Sequence, residues 1–414
     1  MPSKRHHGCT DSNRPAASST KRHRGARDGP MAPAPGKPLP ADLLLEIAAR
    51  TDVVTLVRCA AVCRPLRRDI LDPAFRRRRR RLAAARALLL GVSYQLQHKN
   101  TGVDSAYVVE TRPSPRPRVR IDHGLLESSV PMASRDGLLV LQRRRRLERI
   151  HDELFVCDTM TGVATSLPPI GLGFCCLLTA LLTVGADRSF ELLVADYCVL
   201  RIQTFTSKNG VWSAVRATVP DDPPKFHQMP GAAGASGVAL GRTVHWLEVN
   251  RFITPKHIVA LDVDAATATT VQLPPGYCDR TDYMYGRNVL LAAVGGRLSL
   301  LVAESQAISM WSLTTPTPPP PAAWTRQVVI GTQEIERQTG LFSTFRWPMV
   351  RFYGFGERTG TVVLQIQDSV LVQLNLGTKE ATTLCRDWSK RKLFTRVNLL
   401  EIDLSSLLQT MKSF

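Results

Sequence analysis

The sequence predicts an α+β protein that is mostly β. A basic segment with almost no large apolar groups occupies residues 1–38, and residues 39–75 show helical periodicity. From about Leu88, short runs of strand-forming residues alternate with Gly, Pro and Asp turns. With 44% hydrophobic and 21% charged residues among 414, the composition is that of a globular protein. We therefore expect a large β-body preceded by short helices and a tail.

The N-terminal tail, residues 1–38, is rich in Lys, Arg, Ser, Pro and Gly and is expected to be disordered. Its basic clusters, Lys4-Arg5 and Lys21-Arg22-His23-Arg24, follow the pattern of a bipartite nuclear-import signal, but a solvated basic tail explains them equally well. The tail lacks the apolar core of a signal peptide, and the nine cysteines form no CxxC pair. We expect a reducing compartment, the nucleus and/or the cytoplasm.

Residues 39–75 have the apolar spacing of three short helices. Pro40 suits a first helical position, and Asp42 places a negative charge in the first turn. Pro65 stops the second helix or opens the third, while Asp72-Pro73 has the pattern of a cap that starts another. So small a bundle cannot bury all its aliphatic side chains, and surplus apolar surface usually indicates a partner.

This segment resembles an F-box. The matching residues are Leu39-Pro40, Leu43-Leu44, Glu46-Ile47, Leu56, Val57-Arg58, Val62-Cys63-Arg64 and Leu71-Asp72-Pro73-Ala74-Phe75. It departs from the family at Leu66, where the motif often has Trp, and at Pro65, which is unusual there. The resemblance implies docking onto the Skp adaptor of a cullin–RING ubiquitin ligase. The implied adaptor contacts are Leu39, Pro40, Leu43, Leu44, Ile47, Leu56, Val57, Val62 and Leu66. An ordinary helical hairpin packed on the β-body is the alternative.

Residues 76–90 are expected to form an arginine-rich linker helix. Six arginines, Arg76–Arg81, precede an Ala- and Leu-rich run, and Phe75, Leu82 and Leu89 are spaced by seven. A solvated helix is the simpler interpretation, because charge runs are usually exposed. Contact with an acidic adaptor or with nucleic acid is the alternative.

One strand–turn–strand pattern recurs in the β-body, assigned to residues 91–414. Each copy has a strand, an Asp or Asn turn and a Thr-rich return strand. The copies are Leu154–Pro169, Ile258–Pro275 and Val370–Leu384, with turns at Asp158, Asp262 and Asn375. Two further hairpins, Phe190–Trp212 and Leu298–Trp311, fit between them, the second after a Gly295-Gly296 turn. Preceding strands recur at Asp136–Leu141, Gly237–Leu247 and Leu290–Leu301, and Leu399–Lys412 could form a closing helix.

The units lie roughly 50 residues apart, the repeat length of kelch-like propeller blades. The span predicts a β-propeller-like domain of roughly six blades; a single β-sandwich of this size would be large. The β-body also resembles the F-box-associated domain of many plant F-box proteins. The resemblance rests on Asp136-Gly137, on Cys157-Asp158…Thr161-Gly162…Leu167-Pro168-Pro169, and on Gly241…Val244-His245-Trp246-Leu247. It implies a platform that holds a target protein for ubiquitylation.

Catalysis is not expected. The sequence has no HExxH, GxSxG, P-loop or Rossmann fingerprint, so it predicts no catalytic, cofactor-binding or metal site. An enzyme built on a propeller would need polar side chains converging at the mouth of the ring, and their spacing shows none. The net charge of +19 allows a nucleic-acid-associated protein using the tail and the runs Arg76–Arg81 and Arg143–Arg146. Aromatic residues are too few and not interleaved with these cations, which disfavours a single-strand-binding surface.

Overall fold

A computed structural model describes most of the chain. The residues it describes are 39–51, 53–72, 74–75, 87–97, 104–110, 119–143, 153–172, 177–185, 187–196, 201–220, 237–249, 255–277, 288–314, 323–341, 350–366, 370–386 and 394–403. The tail at 1–38, Arg76–Arg81 and Arg144–Arg146 lie outside them, so the predictions made for these segments stay predictions.

The short N-terminal helices are confirmed. They are α1 (Ala41–Arg50), α2 (Val53–Val62) and α3 (Arg64–Leu71). Pro40 caps α1, one residue earlier than the sequence predicted, and its carbonyl accepts from the amides of Leu43 and Leu44 (both 3.1 Å). Pro65 falls in the first turn of α3. The helices share a small core of Ala48, Ala49, Leu56, Ala60, Ile70 and Phe75.

The β-body consists of six sheets, which are the blades of a propeller. From the inner strand outward, blade 1 consists of β25 (Phe394–Asp403), β1 (Ala87–Gln97) and β2 (Asp104–Glu110). Blade 2 consists of β3 (Ser129–Arg135), β4 (Leu138–Arg143), β5 (Glu153–Asp158) and β6 (Ala164–Ser166). Blade 3 consists of β7 (Leu177–Val184), β8 (Phe190–Asp196), β9 (Arg201–Thr206) and β10 (Val211–Trp212), and β11 (Arg216–Ala217) also pairs with β9. Blade 4 consists of β13 (Val238–Leu240), β14 (Thr243–Val249), β15 (Pro255–Asp262), β16 (Thr267–Gln272) and β12 (Val219–Pro220). Blade 5 consists of β17 (Val289–Val294), β18 (Arg297–Ala303), β19 (Ala307–Thr314) and β20 (Ala323–Gly331). Blade 6 consists of β21 (Val350–Gly356), β22 (Thr361–Ile366), β23 (Val370–Asn375) and β24 (Ala381–Cys385). Two short helices, α4 (His123–Glu127) and α5 (Thr332–Thr339), lie in connections between blades.

The inner strands form a closed ring. In chain order β3, β7, β13, β17 and β21 each lie against the next, and β25 lies between β21 and β3. The six-bladed propeller is therefore confirmed, and the single β-sandwich is wrong. Strands β3 and β4 are joined through Asp136 and Gly137, both at positive φ (49° and 78°), as a two-residue primed turn requires.

The recurring Asp and Asn residues form the same hydrogen-bonded turn in three blades. Asp158 Oδ1 accepts from the amides of Met160 and Thr161 (2.9 and 3.2 Å). The side-chain oxygens of Asp262 and Asn375 also accept from the amides two and three residues ahead (2.8–2.9 Å). A short polar side chain that bonds its own backbone fixes the turn locally. These turns join β5 to β6, β15 to β16 and β23 to β24, as the sequence predicted.

Strands from the two ends of the β-body close the ring within blade 1. Strand β1 pairs antiparallel with β25 from Ala87 opposite Asp403 to Leu96 opposite Phe394. Two expectations are corrected by this pairing. Residues 87–90 are the start of β1 and not the end of a linker helix, and Leu399 to Asp403 belong to a strand and not to a closing helix. The pairing buries the apolar side chains of both stretches between blade 6 on one side and blade 2 on the other, which periodicity alone could not reveal.

Two predicted single strands are hairpins. Gly237–Leu247 contains a turn at Gly241-Arg242, and Leu290–Leu301 contains the turn at Gly295-Gly296. The apolar sequence window Ile170–Val184 is shorter than the ~20 residues of a membrane helix, and its end forms the buried strand β7. Among the residues that the structure describes, no helix has the length and apolar character needed to span a membrane.

The ring closure predicts a large effect of Leu400→Ala. Leu400 of β25 is fully buried among Leu90, Leu139, Leu141 and Ile402. Truncation leaves a cavity between blades 1 and 2, and we expect the free energy of unfolding to fall by about 2–5 kcal/mol in a urea titration. Val328→Ala on the half-exposed outer strand β20 is the control and should change it by less than about 0.5 kcal/mol. Equal effects of the two substitutions would contradict this packing.

Candidate functional site

The first candidate site is an apolar face on α1. Leu39, Leu43, Leu44 and Ile47 are between 38% and 53% exposed, although each is a large aliphatic side chain. Pro40, just before the helix, is also exposed. We call these four aliphatic residues the outer face of α1. Leu43, Leu44 and Ile47 lie on the helix, and Leu39 lies two residues before it.

The inner face of α1 carries smaller side chains than the outer face. Ala48 and Ala49 are buried against α2 and α3, with Leu45 partly buried beside them. A helix that packs on a protein core normally turns its largest apolar residues inward. Here α1 fully buries two alanines and presents Leu43, Leu44 and Ile47, so of its large apolar groups only Leu45 packs against the core of the bundle.

The remaining predicted adaptor residues are divided between surface and core. Val62, at the end of α2, is 86% exposed. Leu56 is fully buried in the bundle core, and Leu66 packs against that core, so neither extends the exposed face. The i, i+3, i+4 spacing of apolar residues predicts that each helix has an apolar side, but it does not show whether that side faces the bundle core or the solvent. The side chain of Val57 lies outside what the structure describes.

The second candidate site is a cavity of about 120 Å³ along the axis of the propeller. Its walls come from the inner strands and are mostly apolar. They include Ala133, Leu181, Val289, Leu291, Phe355 and Leu399. Its rim carries charged groups, namely Arg135, Asp136, Glu357, Arg358 and Glu401. All five lie at or near the C-terminal ends of β3, β21 and β25, so they meet at one end of the cavity.

Two arginines connect blade 6 to blade 2 at this rim. Arg358 Nε and Nη2 donate to the two oxygens of Asp136 (2.9 and 2.8 Å), a bidentate pair. In the opposite direction, Arg135 Nη2 lies 3.4 Å from Glu357 Oε2. Arg135 Nη1 also donates to the carbonyls of Leu181 and Leu182 in blade 3 (both 2.9 Å). Because blade 1 lies between blades 6 and 2, these pairs bridge the closing strand β25.

Glu401 fixes the turn that carries these groups. Its carboxylate accepts from the amides of Arg358 (3.2 Å) and Thr359 (2.9 Å) and from Thr359 Oγ1. Burial raises the pKa of Glu401, and these donors only partly offset it. A side chain at Gly356 would overlap the carboxylate of Glu401, so this close approach requires glycine there.

A second arginine layer extends the network outward. Arg188, in the turn between β7 and β8, donates from Nη1 to the backbone oxygen of Asp136 (2.6 Å) and from Nε to Asp158 Oδ2 (2.8 Å). Arg242 plays a similar part between blades 3 and 4, pairing with Glu191 and Asp264 (2.5 and 2.8 Å). Charged turns therefore hold neighbouring blades in register on this face.

The convergence of polar groups corrects the sequence expectation that none meet at the mouth of the ring. Asp136 and Arg358 are 222 residues apart, so spacing along the chain could not bring them together. The sequence signal for this site is a pair of opposite charges where an inner strand ends, Arg135-Asp136 at the end of β3 and Glu357-Arg358 just after β21. Among the described residues there is no group of three or more His, Cys, Asp and Glu side chains placed to hold a metal ion.

The fold and these two sites define a six-bladed β-propeller preceded by a three-helix unit with an exposed apolar face. Residues 91–414 match the family model described as a domain of unknown function, DUF7595, and the chain belongs to that family. No curated protein matches.

Solved structures show only distant likeness. A chain of a nidogen/laminin complex has a TM-score of 0.37 at 11% identity over 75% of this chain and 98% of its own. A DUF4784 family protein from Bacteroides caccae has a TM-score of 0.39 at 10% identity, over 76% and 75%. A puromycin hydrolase has a TM-score of 0.38 at 14% identity over 67% of this chain, which spans 42% of the hydrolase.

The bridge over β25 predicts that Asp136→Asn destabilises the propeller. Asp136 is 4% exposed, and Asn retains its shape and tolerates the positive φ while removing the charge that pairs with Arg358. We expect a loss of about 1.5–3 kcal/mol in the free energy of unfolding, measured by urea titration. Asp264→Asn is the matched control, since that carboxylate also pairs with an arginine but is 64% exposed. It should change stability far less, and an equal loss in both variants would contradict a special role for the rim.

Proposed function

We propose that this protein is the substrate-recognition subunit of an SCF-type cullin–RING ubiquitin ligase. In this proposal the helical unit docks onto the Skp adaptor, and the propeller holds the target protein. The observation that supports it most strongly is the outer face of α1, which exposes four large aliphatic side chains while the fully buried residues of the helix itself are Ala48 and Ala49. The resemblance of residues 39–75 to an F-box suggests that the partner of this face is the Skp adaptor.

The energetics suit a docking surface. Fully burying a Leu or Ile side chain stabilises a complex by about 1.5–3 kcal/mol. The four side chains of the outer face of α1 are already about half buried in the free chain. Docking would bury the rest, so together they can supply roughly 3–6 kcal/mol of binding free energy. The ion pair of Glu46 with Arg50 (2.7 Å) lies along the same helix and can contribute to its polar rim.

The propeller supplies the other half of the proposal. A closed ring of six blades offers a rigid scaffold and a face of loops on which a target could bind. The chain itself would perform no chemistry, and would act by raising the local concentration of target lysines near the ligase. The target is a protein, and the complex would work in the nucleus or the cytoplasm.

The double substitution Leu44→Ala with Ile47→Ala tests the adaptor contact. Both side chains are exposed, so their loss should leave the helical unit folded. We expect about 1.5–3 kcal/mol of binding free energy to be lost, roughly a 10- to 150-fold weaker affinity for the purified Skp adaptor. Calorimetry measures this directly, and co-purification of the adaptor should be abolished.

The matched control is Val163→Ala with Val211→Ala, which truncates two aliphatic side chains of the propeller that are more exposed than Leu44 and Ile47. That variant should bind the adaptor as the unmodified chain does. Undiminished binding by a folded Leu44→Ala, Ile47→Ala variant would refute the proposal.

A further inference from the structure

The rim of the axial cavity has unequal carboxylates. Asp136 receives two hydrogen bonds from one guanidinium group, and Glu401 receives three from the turn it supports. Glu357 differs from both. Its one ion pair among the described residues is with Arg135, at 3.4 Å, beyond the 2.7–2.9 Å of a charge-assisted hydrogen bond.

The arginines of the rim are already engaged. Arg135 donates to two carbonyls of blade 3, and Arg358 is held by Asp136. Two guanidinium groups therefore face three carboxylates at the rim. The pair formed by Arg188 and Asp158 beside it has one group of each sign. Acidic side chains thus outnumber basic ones at the rim, although the chain as a whole is strongly basic.

Burial raises the pKa of Glu357, and the nearby Arg135 and Arg358 only partly counteract it, while Asp136 adds to the rise. Its side chain is nevertheless 33% exposed, so a ligand can reach it. A bound cation would supply the missing counter-charge. Most residues that line the cavity are aliphatic, with Ser134, Tyr353 and Asn398 among the polar ones, so the cavity can surround a hydrocarbon stem.

We propose that the axial cavity binds an alkylammonium group, such as the side chain of a lysine, with Glu357 as its counter-ion and the apolar walls around its stem. An ammonium fits better than a guanidinium group. Glu357 Oε2 already faces Arg135, which leaves one oxygen for a point charge and not two for a planar fork. The inference goes beyond the adaptor proposal and does not depend on it, because it concerns the propeller alone.

The test uses the full chain and Nα-acetyl-lysine N-methylamide as the probe, followed by calorimetry. We expect saturable binding, at least tenfold weaker for the norleucine analogue, which keeps the stem and lacks the charge. Glu357→Gln should weaken lysine binding at least tenfold. Glu304→Gln is the matched control: Glu304 is also paired with an arginine, is 31% exposed and lies outside the cavity lining, so its variant should bind normally.

The pH dependence separates direct pairing from a structural effect. Lowering the pH protonates Glu357, whose neighbours at the rim are Arg135, Asp136, Arg358 and Glu401, and affinity should fall. In Glu357→Gln the residual affinity should lose most of that dependence. Absence of saturable binding, equal binding of the lysine and norleucine probes, or normal binding by Glu357→Gln would each overturn the proposal. The probe comparison needs no variant, so it decides even if Glu357→Gln misfolds. No adaptor is present, so failure here leaves the adaptor proposal standing.

Discussion

The β1–β25 pairing joins the two ends of the β-body within one blade. Residues separated by about three hundred positions lie side by side there, as Ser93 and Asn398 do. Without this pairing the sixth interface between blades is missing, the inner strands do not form a ring, and the axial cavity has no wall on that side. The two turns that carry the rim charges would also lose the strand between them. The β1–β25 pairing, which we call the seam, is thus the contact with the largest loop-closure entropy to overcome.

The charged rim lies over this seam, which links stability to the candidate ligand site. Bridges from blade 6 to blade 2 hold the neighbours of β25 together, and Glu401 of β25 holds the turn from which one bridge starts. Buried carboxylates are tolerated only when they are paired or hydrogen-bonded. Asp136 and Glu401 meet that condition within the chain. Glu357 meets it only in part, since its ion pair with Arg135 is long at 3.4 Å. Asp136 and Glu401 are therefore structural groups, whereas Glu357 is the carboxylate considered for a ligand.

How far the sequence predicts the structure depends on how local each cause is. The turns at Asp158, Asp262 and Asn375 were found because their side chains bond amides two or three residues away. The blade number followed from repeating those units. Residues 87–90 and the stretch from Leu399 were assigned to helices because their pairing partners lie at the far end of the chain.

The candidate sites follow the same rule. The outer face of α1 was predicted in part, since helical spacing reveals stripes, but Leu56 was placed on the surface and is buried. The rim was missed because Arg135, Glu357 and Glu401 come from three distant segments and meet only when the ring closes. The two candidate sites therefore differ in kind, since one is an exposed apolar face on a short helix and the other is a cavity with a charged rim in the propeller.

Native-state amide hydrogen exchange of β25 tests the seam most directly. If ring closure by β1 and β25 supports the whole propeller, the amides of residues 394–403 that bond to β1 should exchange only through global unfolding. Their opening free energy should then equal that of the buried amides in β4 and β22. A clearly lower opening free energy for β25, with the other blades still fully protected, would show that the ring persists without its seam and would contradict the account.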